Sequence, residues 1–220
     1  MATISDRPLR RDAERNRQRI LAAARELFAE RGLGVSLDDI AHRAGVGVGT
    51  VYRRYPDKEQ LIDAIFEERL HEILDVASES LQMTDPWLAV VHFLQRALEL
   101  QCEDRALKEV FLSTSSGHER LEIGRLQIEP LVAEALRRAK QAGVLREDIE
   151  VPDLMMLQHA IGEVAAYTRD AAPEAWRRML VLALDGLRPD RRRPSPMPVP
   201  APDVKRVTAA MRTHGARARG

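Results

Sequence analysis

The sequence predicts an all-α protein, and three observations carry that class. The stretch from Ser36 to Leu61, SLDDIAHRAGVGVGTVYRRYPDKEQL, reads as two short helices joined by a glycine turn and followed at once by a third. Apolar residues recur at helical spacing over most of the chain between residues 12 and 187. Finally, Pro86, Pro152 and Pro173 sit where helices open, and Gly32, Gly45 and Gly143 where they close.

Taken in order, residues 1–11 are expected to form a flexible arm carrying Arg7, Arg10 and Arg11. A first helix runs from Asp12 to Arg31, because Ile20, Leu21, Ala24, Leu27 and Phe28 share one face and Gly32 ends it. Its apolar stripe is a platform for the two-helix unit. Arg15, Arg17 and Arg19 lie near its start, either as a solvated face or, for one of them, as a phosphate contact.

The second helix has a start signal at two levels. Ser36 can cap the free backbone N–H groups and Asp39 can complete a capping box, with Val35 and Ile40 forming a hydrophobic staple around it. Ile40 and Ala41 point inward, and Gly45 supplies the positive φ of a tight turn. A third helix from Val48 to Tyr55 turns Val51 inward, with Val48 or Tyr55, and leaves Thr50, Tyr52, Arg53 and Arg54 outward. That outward set suits DNA. Hydroxyls bond phosphates or base edges, arginine reaches guanine in two places, and a helix N-terminus favours a phosphate. Pro56 stops this helix, Asp57 and Gln60 cap the next, and Lys58 stands at its start, a place for a further phosphate contact.

Beyond this, a long amphipathic helix spans Lys58 to about Met83, and another opened by Asp85 and Pro86 reaches Cys102. Asp104–Thr114 reads as a short helix before a Ser113–His118 loop. Residues 119–142 read as helix with a kink or break near Glu129, since Gly124 and Pro130 interrupt them. Pro152–Arg169 and Pro173–Leu187 form a closing pair. Residues 189–220, rich in Pro and Arg, cannot form a packed element and are expected to be disordered.

The segment Gly45–Leu61, GVGVGTVYRRYPDKEQL, resembles the signature of the TetR/AcrR family of bacterial transcriptional regulators. The resemblance covers the first quarter to third of the chain. It implies a three-helix DNA-binding domain (residues 12–57) and a larger helical ligand-binding and dimerisation domain (residues 58–188), about nine helices in all. On that pattern Thr50, Tyr52, Arg54 and Lys58 match positions that contact DNA, with Val48 and Gly49 opening the recognition helix; Arg53 and Ser36 join the expected set. Many members carry Ser where this chain has Gly47, so one side-chain cap is missing while glycine still serves as N-cap.

The resemblance also implies an unknown, largely apolar small-molecule effector. Phe66, His92, Phe93, Phe111, Met155, His159 and Tyr167 are expected in its pocket, although the same residues are ordinary core candidates. In the family the last two helices pair with a partner's, giving a homodimer. Leu157, Ile161, Val164, Trp176, Leu180 and Leu184 would form that seam, or equally the core of a single chain.

Composition agrees. Of 220 residues, 45% are hydrophobic and 4% aromatic, and the formal net charge of zero hides an asymmetry. Residues 1–60 carry 12 Lys/Arg against 9 Asp/Glu, residues 61–187 carry 13 against 23, and residues 188–220 carry 9 against 2. A lone cysteine, Cys102, excludes an internal disulfide, and no apolar run approaches a membrane span. No leader is evident, so a cytoplasmic protein is expected. The six histidines are scattered and no nucleotide-loop, zinc or nucleophile string occurs, so neither an enzyme nor a cofactor is expected. The function that follows is a ligand-responsive repressor binding a palindromic operator in double-stranded DNA. An activator of the same family, or a helical ligand-binding protein or enzyme whose head is unused, are the alternatives.

Overall fold

The structure, a computed structural model, describes residues 6–103 and 117–189. Among these residues every regular element is helical: α1 (Asp6–Arg31), α2 (Leu37–Ala44), α3 (Val48–Arg54), α4 (Lys58–Gln82), α5 (Pro86–Glu103), α6 (Gly117–Gln141), α7 (Val151–Thr168) and α8 (Ala175–Leu187). A short 3-10 turn, Gly32–Gly34, separates α1 from α2. No helix among the described residues is long and apolar enough to cross a membrane. The Asp104–Thr114 helix, most of the Ser113–His118 loop and the tail from residue 190 lie outside the described residues.

Two boundaries differ from the sequence reading. Helix α1 begins at Asp6 rather than Asp12, so residues 6–11 are helix and not arm. Helix α6 runs unbroken through Pro130. A proline inside a helix removes one backbone bond, here to the carbonyl of Leu126. Both Pro130 and Leu126 lie on the exposed face, where water can take that carbonyl, so the helix continues.

The described residues fall into two compact units, divided inside α4 between Glu72 and Ile73 and inside α6 between Ile123 and Gly124. The first unit is built on α1. Its buried face, Ile20, Leu21, Ala24, Leu27 and Phe28, meets Ile40 and Ala41 of α2, Val51 of α3, and Leu61 and Ile65 of α4. Each Leu, Ile, Val or Phe side chain among them contributes about 1.5–3 kcal/mol when fully removed from water, and each Ala less. In the second unit Val90, Phe93, Leu94 and Leu98 of α5 pack with Leu136 of α6, Leu154 and Ile161 of α7, and Trp176, Leu180 and Leu184 of α8. Arg188 closes this core over the Trp87 ring, 4.1 Å from its centroid.

Candidate nucleic-acid interface

The site rests on how α2 and α3 are started and stopped. Ser36 Oγ accepts from the Asp39 backbone N–H (3.1 Å), and Asp39 Oδ2 accepts from the Ser36 N–H (3.0 Å) and from its hydroxyl (2.6 Å). Both halves of the expected capping box are present, and Val35 and Ile40 beside it are buried. These bonds from Ser36 hold the Asp39 carboxyl below its ordinary pKa. The Ser36 hydroxyl is therefore occupied beside two carboxylates, Asp38 and Asp39, which oppose a phosphate there.

Helix α2 ends at Gly45, whose φ of 62° is left-handed; its N–H bonds the His42 carbonyl (3.1 Å) and the Val46 N–H bonds that of Ala41 (3.1 Å). Arg19 of α1 reaches across to this turn and donates from Nη2 to the Gly45 carbonyl (3.0 Å). Gly47 then caps α3 without a side-chain bond, its carbonyl accepting from the Thr50 N–H (2.8 Å). The helix survives the missing cap, as expected.

Helix α3 carries Val48, Gly49, Thr50, Tyr52, Arg53 and Arg54 together, anchored by Val51, fully buried, and capped by Tyr55. Val48 packs partly against the core. Gly49 is exposed, and a Cβ there would meet nothing within 4 Å, so space is left for a close approach. Tyr52 is 45% exposed. A hydrogen bond with Asp38 raises its hydroxyl pKa, an interaction that composition and spacing did not reveal.

The arginines divide into two groups. On α1, Arg15 pairs with Asp12, and Arg17 bonds Glu14 (2.8 Å) and Glu68 of α4 (3.1 Å). Arg25 also bonds Glu68 (2.7 Å), while Arg43 of α2 bonds Glu26 (3.1 Å) and Glu30 (3.0 Å) of α1. Arg53 and Arg54 of α3, by contrast, are exposed and make no ion pair among the described residues. Two full positive charges thus stand on the outward face of a helix whose inward face is core. Lys58, at the start of α4, is half-buried and donates Nζ to the Leu33 carbonyl (2.6 Å), so one of its three donors holds the 3-10 turn.

Residues 20–65 match the family described as bacterial regulatory proteins, tetR family, and residues 85–189 match the transcriptional regulator SbtR-like C-terminal domain. A TetR transcription regulatory protein from Mycobacterium vanbaalenii has the same fold with a TM-score of 0.64 at 32% identity, covering 82% of this chain and 99% of that one. This chain belongs to the TetR family. SmeT, the repressor of the Stenotrophomonas maltophilia multidrug efflux pump SmeDEF, is 26% identical with a TM-score of 0.61, over 84% of this chain and 97% of its own. SmeT has also been solved with triclosan; that match is 24% identical, with a TM-score of 0.58. A helix-turn-helix-type transcriptional regulator of Staphylococcus aureus is 41% identical over 63 residues, which span 28% of this chain and only 34% of that protein. As a TetR-family member the chain is a helix-turn-helix transcriptional regulator, with α2 and α3 as the two-helix unit.

The residues expected in a ligand pocket differ in setting. Phe66 belongs to the first unit, Phe93 lies in the core of the second, and Phe111 is outside the described residues. Met155 and His159 are exposed; His92 and Tyr167 are half-buried, with His92 3.8 Å from Glu79. Of the expected dimer seam, most positions are used within the chain. Ile161, Trp176, Leu180 and Leu184 are buried in the chain's own core, with Leu157 packed against it and Val164 half-buried. The open apolar positions of α7 and α8 are instead Met155, Met156 and Leu182. A periodic stripe shows which face is covered, not by what.

Proposed function

We propose that this TetR-family chain represses transcription by binding a palindromic operator as a homodimer through α3, and that a small, largely apolar molecule bound in the second unit weakens that grip. The observation that carries the reading is the outward face of α3. Arg53 and Arg54 are exposed and make no ion pair among the described residues, Arg54 feeling only the field of Glu14, while Arg15, Arg17 and Arg25 of α1 and Arg43 of α2 are matched with carboxylates. Unpaired guanidinium groups on an exposed helix are what phosphate and guanine edges recruit. Thr50 and Tyr52 add hydroxyls to the same helix, and Gly49 leaves room for the nucleic-acid backbone. SmeT, a repressor solved with triclosan, supports the effector class.

Gel-shift titration of the full chain against its own promoter region tests the reading. Specific binding with a steep salt dependence is the expected result. Replacing both Arg53 and Arg54 with Ala should abolish it, at about 1–3 kcal/mol for each lost bidentate base contact, while leaving the far-ultraviolet spectrum unchanged. Full-strength binding by the double variant would move the interface elsewhere. No binding to any genomic fragment at low salt would remove the operator reading altogether.

A further inference from the structure

We infer that Arg19 is a positioning residue for DNA recognition: its guanidinium clasps the Gly45 carbonyl and fixes the turn from which α3 projects, rather than meeting a phosphate. Three observations converge on this contact. Arg15 and Arg17, on the same helix, are matched with carboxylates, whereas Arg19 donates to a neutral backbone carbonyl 26 positions away in sequence (3.0 Å). That carbonyl belongs to the one residue between α2 and α3 that is left-handed, where the chain changes direction. The turn is also shaped to receive the arginine: a Cβ on Gly45 would lie 2.6 Å from Arg19 Nη2. Gly45 is required by its φ, and a Cβ there would also push the Arg19 guanidinium off the turn.

The physics favours a cation here. The last carbonyls of α2 carry the negative end of the helix, and a guanidinium beside them is stabilised while satisfying an acceptor left over at the helix end. The bond spans α1 and the turn, so it sets the angle at which α3 leaves α2. A helix that must place several side chains against base edges is sensitive to that angle. Nonspecific attraction to phosphate is not, because it depends on charge and not on register.

This inference rests on the operator reading, and its test separates the two. The full chain, Arg19→Ala and Arg19→Lys are titrated with operator DNA and with unrelated duplex over a range of salt, and amide exchange at Gly45 and Val46, the bonded amides of the turn, is followed without DNA. If Arg19 positions the turn, Arg19→Ala exchanges faster at those amides and loses about threefold in operator affinity, a fraction of the bond's worth because it is exposed and present without DNA as well. Its salt slope and its affinity for unrelated duplex stay unchanged, and Arg19→Lys, which keeps a donor, recovers most of the loss. A fall of about 0.9 in the slope, with equal weakening on both duplexes, would make Arg19 a phosphate contact and overturn the inference. Unchanged exchange in Arg19→Ala would overturn it as well. Should the unmodified chain ignore every operator candidate, the operator reading fails on its own, while the exchange result still decides whether Arg19 holds the turn.

Discussion

At the scale of residues, the start of α2 depends on two side chains that hold each other. Replacing Ser36 with Ala removes the acceptor for the Asp39 N–H and the hydroxyl donor to its carboxylate, and should cost about 1 kcal/mol in urea unfolding. The same pair makes a pH prediction. Asp39 is depressed below its ordinary value of 3.8 in the folded chain, so its contribution is complete above that value and is lost as pH falls through the lower, folded pKa. The stability difference between the chain and Asp39→Asn should therefore be flat near neutrality and shrink only below about pH 4. A difference that already fades at pH 6 would assign the effect to another group. Lys58 makes a contrasting case. Its bond to the Leu33 carbonyl means that Lys58→Ala should lose about 1 kcal/mol of stability, less than a fully buried charged donor because Lys58 is only half-buried. A purely phosphate-binding lysine would lose none. Burial also raises the Cys102 thiol above its usual value, which keeps it protonated and slow toward thiol reagents.

At the scale of elements, a charged clasp in the first unit joins α1 to α4. Glu68, its side chain 13% exposed, receives Arg17 on one oxygen (3.1 Å) and Arg25 on the other (2.7 Å). Next to it Arg69 bonds Glu72 (2.5 Å), which also faces Arg25 (3.7 Å). Removing Glu68 strips two charge-assisted bonds from a poorly solvated site, leaving Arg17 to Glu14 (2.8 Å) and Arg25 to the more distant Glu72 (3.7 Å). Glu68→Ala should thus cost about 3 kcal/mol, measurable as a shift in the urea midpoint at unchanged slope. A cost near that of an exposed surface pair would show that water already reaches the clasp. This tie also marks what the sequence could tell. The caps at Ser36 and Asp57, the turn at Gly45 and the buried face of α1 were legible because each is decided within a few residues by backbone chemistry. Which arginines would be free was not, since Arg17 is paired by a carboxylate 51 positions away. The unbroken α6 escaped for a related reason: Pro130 is tolerated on an exposed face, and exposure is a tertiary fact.

At the scale of the whole molecule, the sequence points to α7 and α8 as the dimer pair, and the structure shows which of their apolar positions one chain already uses. Ile161, Trp176, Leu180 and Leu184 are the most apolar positions of the stripe, and they pack inside one chain. What remains open is a smaller set led by Met156, 64% exposed, and Leu182, 51% exposed. Single exposed apolar side chains are ordinary, but in the proposed homodimer these are the ones a partner would cover. Met156→Asp combined with Leu182→Asp buries two charges in that interface and none in the chain's own core. Sedimentation of this variant should therefore report a folded monomer, with the helical spectrum and urea slope of the parent chain corrected for subunit number. Operator binding should fall with it. A single three-helix head still meets one half-site, but the two recognition helices are no longer joined at the spacing of about 34 Å, or a multiple, that successive major grooves require. The loss should therefore be largest on the intact palindrome and small on an isolated half-site. A variant that stays dimeric would exclude this face as the interface, and one that is monomeric yet binds the palindrome at full strength would exclude the homodimer as the reading unit.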